Sequence, residues 1–507
     1  MCLVMEENLD NSGSERLVSG GVWFLGLMIL SGVFWLLFGV GVSRAYGPSG
    51  YGLLSMAQSV FDFTWAFIFG GIFEGLIHFG SGYLTTKGSN LSHYFSNYVR
   101  YLTGMSLIVF LFLVILFLQI SDTLMRITFL SLAFAFLFSG TKDALASIIG
   151  SLQKNKQLSI ITSSGFVLVS ILGMIFIVFN FPFHLLPVLI VFAPVCQLLL
   201  CMYFLRPYLK GLILRNIDLF RQKDLKYSLL DDLKQFKHLF FFGFFVSIGK
   251  ISFSVMKSLD IAVLKLFFDY TDVGVYSVAD TASSILFCMT AFCLPIISSI
   301  SEAWTKKDHI QLENCVKMSV RYPLIMGIPL TVIIFTLAKP IVVGIYGVAF
   351  QGAVAPLQIL IIGTALLMFG YTLSSILIGI GKPKVSGILM VGAAVQYIFS
   401  LFVLVPALGF DGAAISLTLT GVTSLFLIPF FIKYNLKIKI FSGSLKVLFS
   451  GAILACFLLL VPKPNFLLII LEVVAGILIY ILSLHYTGFL NINQENMNLF
   501  KRIRGQA

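Results

Sequence analysis

Charge is what this sequence has least of: 11% of its 507 residues are Asp, Glu, Lys or Arg, against 58% hydrophobic residues and a mean hydropathy of +1.00. That scarcity excludes a string of soluble domains. No CxxC pair and no HExxH occurs, and the six histidines are scattered, so no metal site and no cofactor are expected. Cys196, Cys201, Cys288, Cys293 and Cys456 fall in apolar runs, where they act as small hydrophobes rather than as a disulfide framework. No GxxxxGK[ST] loop is present, which excludes a resident ATPase. The first 16 residues carry Glu6, Glu7, Asp10 and Glu15, an acidic stretch unlike a signal peptide.

What is abundant is apolar sequence in lengths of about 20 residues, the length that crosses a bilayer as a helix. Between charged or Gly/Pro-rich breaks, fourteen spans are expected: 20–42, 53–79, 101–120, 124–152, 158–179, 185–205, 239–264, 273–300, 322–346, 353–380, 385–405, 412–432, 445–462 and 465–486. Pro340, Gly344, Gly347 and Gly352 give the junction of the ninth and tenth the look of a broken or re-entrant segment.

The basic residues test this division. Of 34 Lys and Arg, 26 fall in the tails and the loops on the side of the N-terminus, and five on the other side: Arg44, Arg126, Lys265, Lys339 and Lys463. The remaining three, Lys142, Lys250 and Lys257, lie within spans. Lys and Arg accumulate in cytoplasmic loops, so both termini are expected in the cytoplasm and the number of spans is expected to be even. The net charge of +12 is then largely a topology signal, with no nucleic-acid partner implied.

The expected plan is an all-α polytopic membrane protein. It comprises an N-tail (1–19), a first lobe (20–205), a basic linker (206–238), a second lobe (239–432), two further spans (433–486) and a C-tail (487–507). The linker interleaves eight basic residues with apolar ones, the pattern of an amphipathic helix on an anionic membrane surface and equally of a solvated connector.

The two lobes repeat. Gly52-Leu-Leu-Ser55-Met-Ala57 follows the first span and Gly274-Val-Tyr-Ser277-Val-Ala279 the seventh, 222 residues apart. Ser147-Ile148 with Lys154-Asn-Lys156, and Ser375-Ile376 with Lys382-Pro-Lys384, match at an offset of 228. Six spans per repeat keep the halves in the same orientation, a parallel repeat. Ser55, Gln58, Ser59 and Asp62 share one helical face, and their counterparts Ser277, Asp280, Thr281 and Ser284 share another. Polar faces on apolar helices avoid lipid, so both are expected to line a wet cavity.

The stretch Arg44-Ala-Tyr-Gly47-Pro48-Ser-Gly50-Tyr51-Gly52-Leu-Leu-Ser55, with the six-plus-six-plus-two plan, resembles the polysaccharide biosynthesis or oligosaccharide flippase family of the Wzx type. That family belongs to the superfamily that also holds the MATE drug exporters and the lipid II flippase. The resemblance implies a MATE-like fold that moves lipid-linked sugars, polyprenyl phosphates or pyrophosphates, across the cell membrane by alternating access for surface polysaccharide assembly. It implies no catalytic residue.

A charge at the bilayer centre costs about 2.5 to 3.5 kcal/mol on insertion scales, which makes each one a functional candidate. Lys250 and Lys257 are seven apart on span seven and share a face with Ser247 and Ser254. They are expected to meet a phosphate headgroup; the bland alternative is an ion pair of Lys257 with Asp260 and a snorkelling Lys250. Asp62, Asp280, Asp260 and Gln58 are candidates for lining the cavity or for coupling to H+ or Na+. Lys142 with Asp143, and Glu74 with His78, read as structural pairs. By the 222 offset Lys250 and Lys257 align with Met28 and Trp35, so the cationic face is one-sided. Two rivals remain: a MATE-like ion-coupled exporter of small molecules, against which the lysine pair weighs, and a membrane glycosyltransferase or polymerase, for which the outer loops are short.

Overall fold

A computed structural model of the chain describes residues 13–69, 91–151, 154–221, 248–249, 251–436, 444–461 and 466–487. Every described secondary-structure element is helical. Helices α1 (Gly13–Phe69), α2 (Leu91–Leu118), α3 (Thr123–Ser151), α4 (Asn155–Val178) and α5 (Phe192–Arg221) cover the first six spans. Then come α6 (251–267), α7 (Tyr270–Ser283), α8 (Cys293–Thr305), α9 (His309–Thr336), α10 (Val354–Gly379), α11 (Pro383–Leu436), α12 (Ser444–Leu460) and α13 (Phe466–Tyr486). Two of them each hold two spans: α1 folds at Gly47 (φ 70°) and α11 at Gly409 (φ 63°). Positive φ is costly for any residue with a Cβ, so glycine marks both reversals. Fourteen spans result, as the sequence implies. Seven described helices are by themselves long and apolar enough to cross a membrane, and 383–434 among them is long enough to do so twice.

Element boundaries carry the repeat. Helix α3 ends at Ser151 and α4 starts after Lys154, while 228 residues on α10 ends at Gly379 and α11 starts at Pro383. The fold at Gly47 corresponds, 222 residues on, to the break between α6 and α7 at 268–269.

Three stretches depart from plain helix. Span eight, expected as one run over 273–300, changes at Ser284 to a 3₁₀ segment (Ser284–Phe292) before α8 resumes. Pro295 has no amide to offer the preceding turn, and the Ser283 and Ser284 hydroxyls donate to the Asp280 carbonyl at 2.9 and 3.0 Å, competing with the regular ladder. The junction of spans nine and ten is a chain of short turns: Ala338–Ile341, a π turn Val342–Tyr346 and a 3₁₀ turn Val348–Ala353. Of the basic linker, 206–221 continues α5 as helix, and the rest lies outside the described residues.

The chain divides into two compact units, 1–277 and 278–507. In the second, the C-terminal hairpin docks on α9. Val447, Leu454, Leu458, Tyr480 and Leu484 bury against Leu324, Ile325, Ile328 and Val332, and the Tyr480 hydroxyl donates to the Ile325 carbonyl at 3.1 Å. A phenol buried in apolar surroundings needs such an acceptor. Most span hydroxyls are satisfied more locally, donating to the carbonyl four residues back, as Ser147 does to Asp143 (2.8 Å) and Ser416 to Gly412 (2.8 Å).

Candidate functional site

In the first unit, the expected polar face of span two is present on the outer half of α1. Gln58 and Asp62 are one turn apart, both half-buried, and Gln58 Nε2 donates to Asp62 Oδ1 at 3.0 Å. Ser59 lies buried beside them with its hydroxyl donating to the Ser55 carbonyl at 3.0 Å. The ammonium of Lys257, an exposed residue of α6, acts electrostatically on the Asp62 carboxylate. An amide, a carboxylate and a cation from two apolar helices are thus gathered: the amide orients the carboxylate, and the cation can face an anion without first leaving a protein partner's core. Ser254, three residues before Lys257, is half-buried on the neighbouring turn. Lys250 and Ser247 lie outside the described residues.

Asp260 is placed differently. Its side chain is 1% exposed; Oδ2 accepts from the Tyr276 hydroxyl at 2.6 Å and Oδ1 from the Ile261 amide at 2.9 Å. Tyr276 is itself fully buried. Asp260 therefore ties α6 to α7, and this contact spends both oxygens of the carboxylate on fixing the hairpin. Tyr276→Phe is expected to cost about 1 to 3 kcal/mol by leaving a buried acceptor unmatched, read as a lower unfolding temperature in detergent. An unchanged melt would show that Asp260 finds its stabilisation elsewhere.

Lys142 and Asp143 pair with each other. Adjacent residues on a helix point about 100° apart, yet the lysine stem is long enough to swing its ammonium to 2.7 Å from Asp143 Oδ1. Asp143 Oδ2 accepts from the Trp65 indole nitrogen at 2.8 Å, joining α3 to α1 one turn beyond Asp62. Trp65 and Tyr276 are the residues that reading the sequence passed over. Each is an aromatic donor in an apolar span, and such a donor requires a buried acceptor.

In the second unit, Asp280 is half-buried at the end of α7, its carbonyl receiving the two serine hydroxyls, and Thr364 on α10 donates to Ser283 at 3.3 Å. Glu74 and His78 lie outside the described residues. Among the described residues no group of three His, Cys, Asp or Glu side chains is positioned to hold a metal.

Fourteen spans in a six-plus-six-plus-two order, repeated element for element, with polar faces inside apolar helices, define a multi-pass membrane protein of MATE-like transporter fold. The family model described as "Polysaccharide biosynthesis protein" matches residues 17–301, and the chain belongs to that family. An uncharacterized membrane protein of Methanocaldococcus jannaschii is 30% identical over 190 residues; the match covers 36% of this chain and 36% of that relative.

Among solved structures, the lipid II flippase MurJ in its inward closed conformation superposes with a TM-score of 0.73 at 16% identity, over 93% of this chain and 100% of the other. An outward-facing MATE family multidrug transporter of the MOP superfamily gives 0.62 at 15% identity, over 85% and 97%. An inward-facing one gives 0.59 at 17%, over 82% and 99%. At these identities the likeness is one of fold.

Proposed function

We propose that this protein is a flippase that carries lipid-linked oligosaccharide, a polyprenyl phosphate or pyrophosphate bearing sugars, from the cytoplasmic to the outer leaflet of the cell membrane. Movement is by alternating access of two lobes, 20–205 and 239–432, with both termini cytoplasmic. The observation that carries the reading is the exposed Lys257 ammonium beside the Gln58–Asp62 pair on otherwise apolar helices. A cation there has a use if an anionic head must cross the membrane. Family membership points to the same chemistry, since making polysaccharide on a lipid carrier requires that carrier's head to change leaflet.

In this reading Lys257 and Lys250 receive the phosphoryl oxygens, with Ser247 and Ser254 as neutral donors beside them. Asp62, and Asp280 in the second repeat, take up a coupling cation, H+ or Na+. No bond in the substrate is made or broken. A MATE-like exporter of small molecules is the second reading, favoured by the amide-oriented carboxylate of Asp62, a group suited to an organic cation.

Binding separates the two. Protein in nanodiscs titrated with a short-chain polyprenyl-pyrophosphate sugar is expected to bind it, and to bind the same lipid-sugar lacking phosphate at least about tenfold more weakly, the loss of one charge-assisted contact. Equal affinity for the neutral lipid, or competition by organic cations alone, would favour the exporter.

A further inference from the structure

The repeated Gly-x-x-Ser-x-Ala motif has a use that the headgroup site does not absorb. Gly52 and Gly274, its first residues, meet. A Cβ built on Gly52 would overlap the Tyr270 carbonyl oxygen and stand 2.7 Å from the Gly274 amide nitrogen. A Cβ built on Gly274 would overlap the Pro48 carbonyl oxygen and stand 3.0 Å from the Gly52 amide nitrogen. The contact is reciprocal: each glycine lies against the carbonyl four residues before the other, and Pro48 and Tyr270 are themselves 222 residues apart. Two helices crossing this way at equivalent residues do so about a local twofold axis, with backbone on backbone and no side chain between them.

Such a crossing suits a closure that must be tight and must also release. Glycine lets two backbones approach to Cα–H···O distance, which excludes water and lipid, yet each such contact is worth less than an ordinary hydrogen bond. No ion pair or side-chain network is printed across the crossing itself, and the helix ends are steadied from outside it. The Tyr270 hydroxyl donates to Met125 Sδ at 3.2 Å, the Lys265 ammonium lies 4.3 Å from the Tyr270 ring centre, and the Tyr46 hydroxyl donates to the Phe181 carbonyl at 2.7 Å. The two helices are thus held at their tips and touch at a point that can part. By the distribution of Lys and Arg, this point is at the outer face of the membrane.

We infer that Gly52 and Gly274 form the outer closure of the transport path, the contact that opens when the path turns outward. The inference rests on the transport reading above but not on the identity of what is carried. Its consequence is steric. A methyl at either position cannot be accommodated with the helices in contact, because the atoms in the way are backbone. Overpacking of this kind shifts a two-state equilibrium by an order of magnitude or more.

The test uses Ser55→Cys, three residues inward of Gly52, probed in intact cells with a membrane-impermeant thiosulfonate, the labelling of the unsubstituted chain being subtracted. Little reaction is expected with both glycines present. Adding Gly52→Ala or Gly274→Ala is expected to raise the rate about tenfold, and the two should be alike because the contact is reciprocal. Gly104→Ala, where a Cβ meets nothing within 4 Å, should leave it unchanged. External labelling that is already fast with both glycines, or a rate that neither alanine alters in folded protein, would overturn the inference.

If the alanine variants do not fold, spin labels on Ser49→Cys and Thr271→Cys with both glycines intact decide it. A short and a long distance population in nanodiscs are expected, and a single distance would overturn the closure. Neither experiment contains a sugar lipid, so failure of the substrate assignment and failure of the closure are read separately.

Discussion

Lys257→Ala is expected to lower translocation of a lipid-linked sugar at least about tenfold while leaving the protein inserted and folded. Two unit charges 4 Å apart attract by about 4 kcal/mol at an effective dielectric of 20, so losing the cation can remove more than the 1.4 kcal/mol that a factor of ten requires. Lys257 is exposed and no part of a buried core, so folding should tolerate alanine. Lys257→Arg should retain most activity, because charge and donors persist; Lys257→Glu should abolish it, since a second carboxylate would face Asp62 and repel the phosphate. Lys250→Ala is expected to act in the same direction. Normal export by both alanine variants, with insertion verified by protease protection, would remove the headgroup assignment and leave the fold assignment standing.

Asp143→Ala should cost stability instead. The carboxylate answers two donors, Lys142 Nζ at 2.7 Å and Trp65 Nε1 at 2.8 Å, and its side chain is 9% exposed. Removing one partner of a buried pair leaves the other charge unmatched, typically about 3 kcal/mol. The unfolding temperature in detergent should fall accordingly. Asp143→Asn, which keeps an acceptor for the indole, should fall less. Adding Lys142→Met to Asp143→Ala should recover part of the loss, because no unmatched ammonium then remains. If Asp143→Ala melts with the parent, the three residues are a surface arrangement without energetic weight.

The repeat was readable because it is written in local signals. Glycines at reversals and paired lysines at turns mark helix ends wherever they occur, and the ends at 151 and 155 recur at 379 and 383. The polar face of span two was readable for the same reason, since four residues at helical spacing need no knowledge of the partner helix. Asp260 was not, because its direction depends on Tyr276, sixteen residues away across a turn. Lys142 and Asp143 defeated a reading by helical phase, since a four-carbon stem reaches farther than the angle between Cβ atoms suggests. The 3₁₀ passage in span eight had its cause in view at Pro295, but hydropathy alone reads through it. Gly52 and Gly274 stood out as a motif, while their meeting depends on tertiary structure.

Translocation in reconstituted vesicles tests most directly whether the molecule moves lipid-linked sugar. A tagged polyprenyl-pyrophosphate oligosaccharide is confined to the leaflet facing away from a membrane-impermeant glycosidase, and its cleavage is followed with time. Vesicles containing the protein are expected to expose the sugar to the enzyme, while empty vesicles and vesicles with Lys257→Glu protein do not. Sugar that stays protected in all three, alongside movement of an organic cation dye by the parent protein, would contradict the flippase.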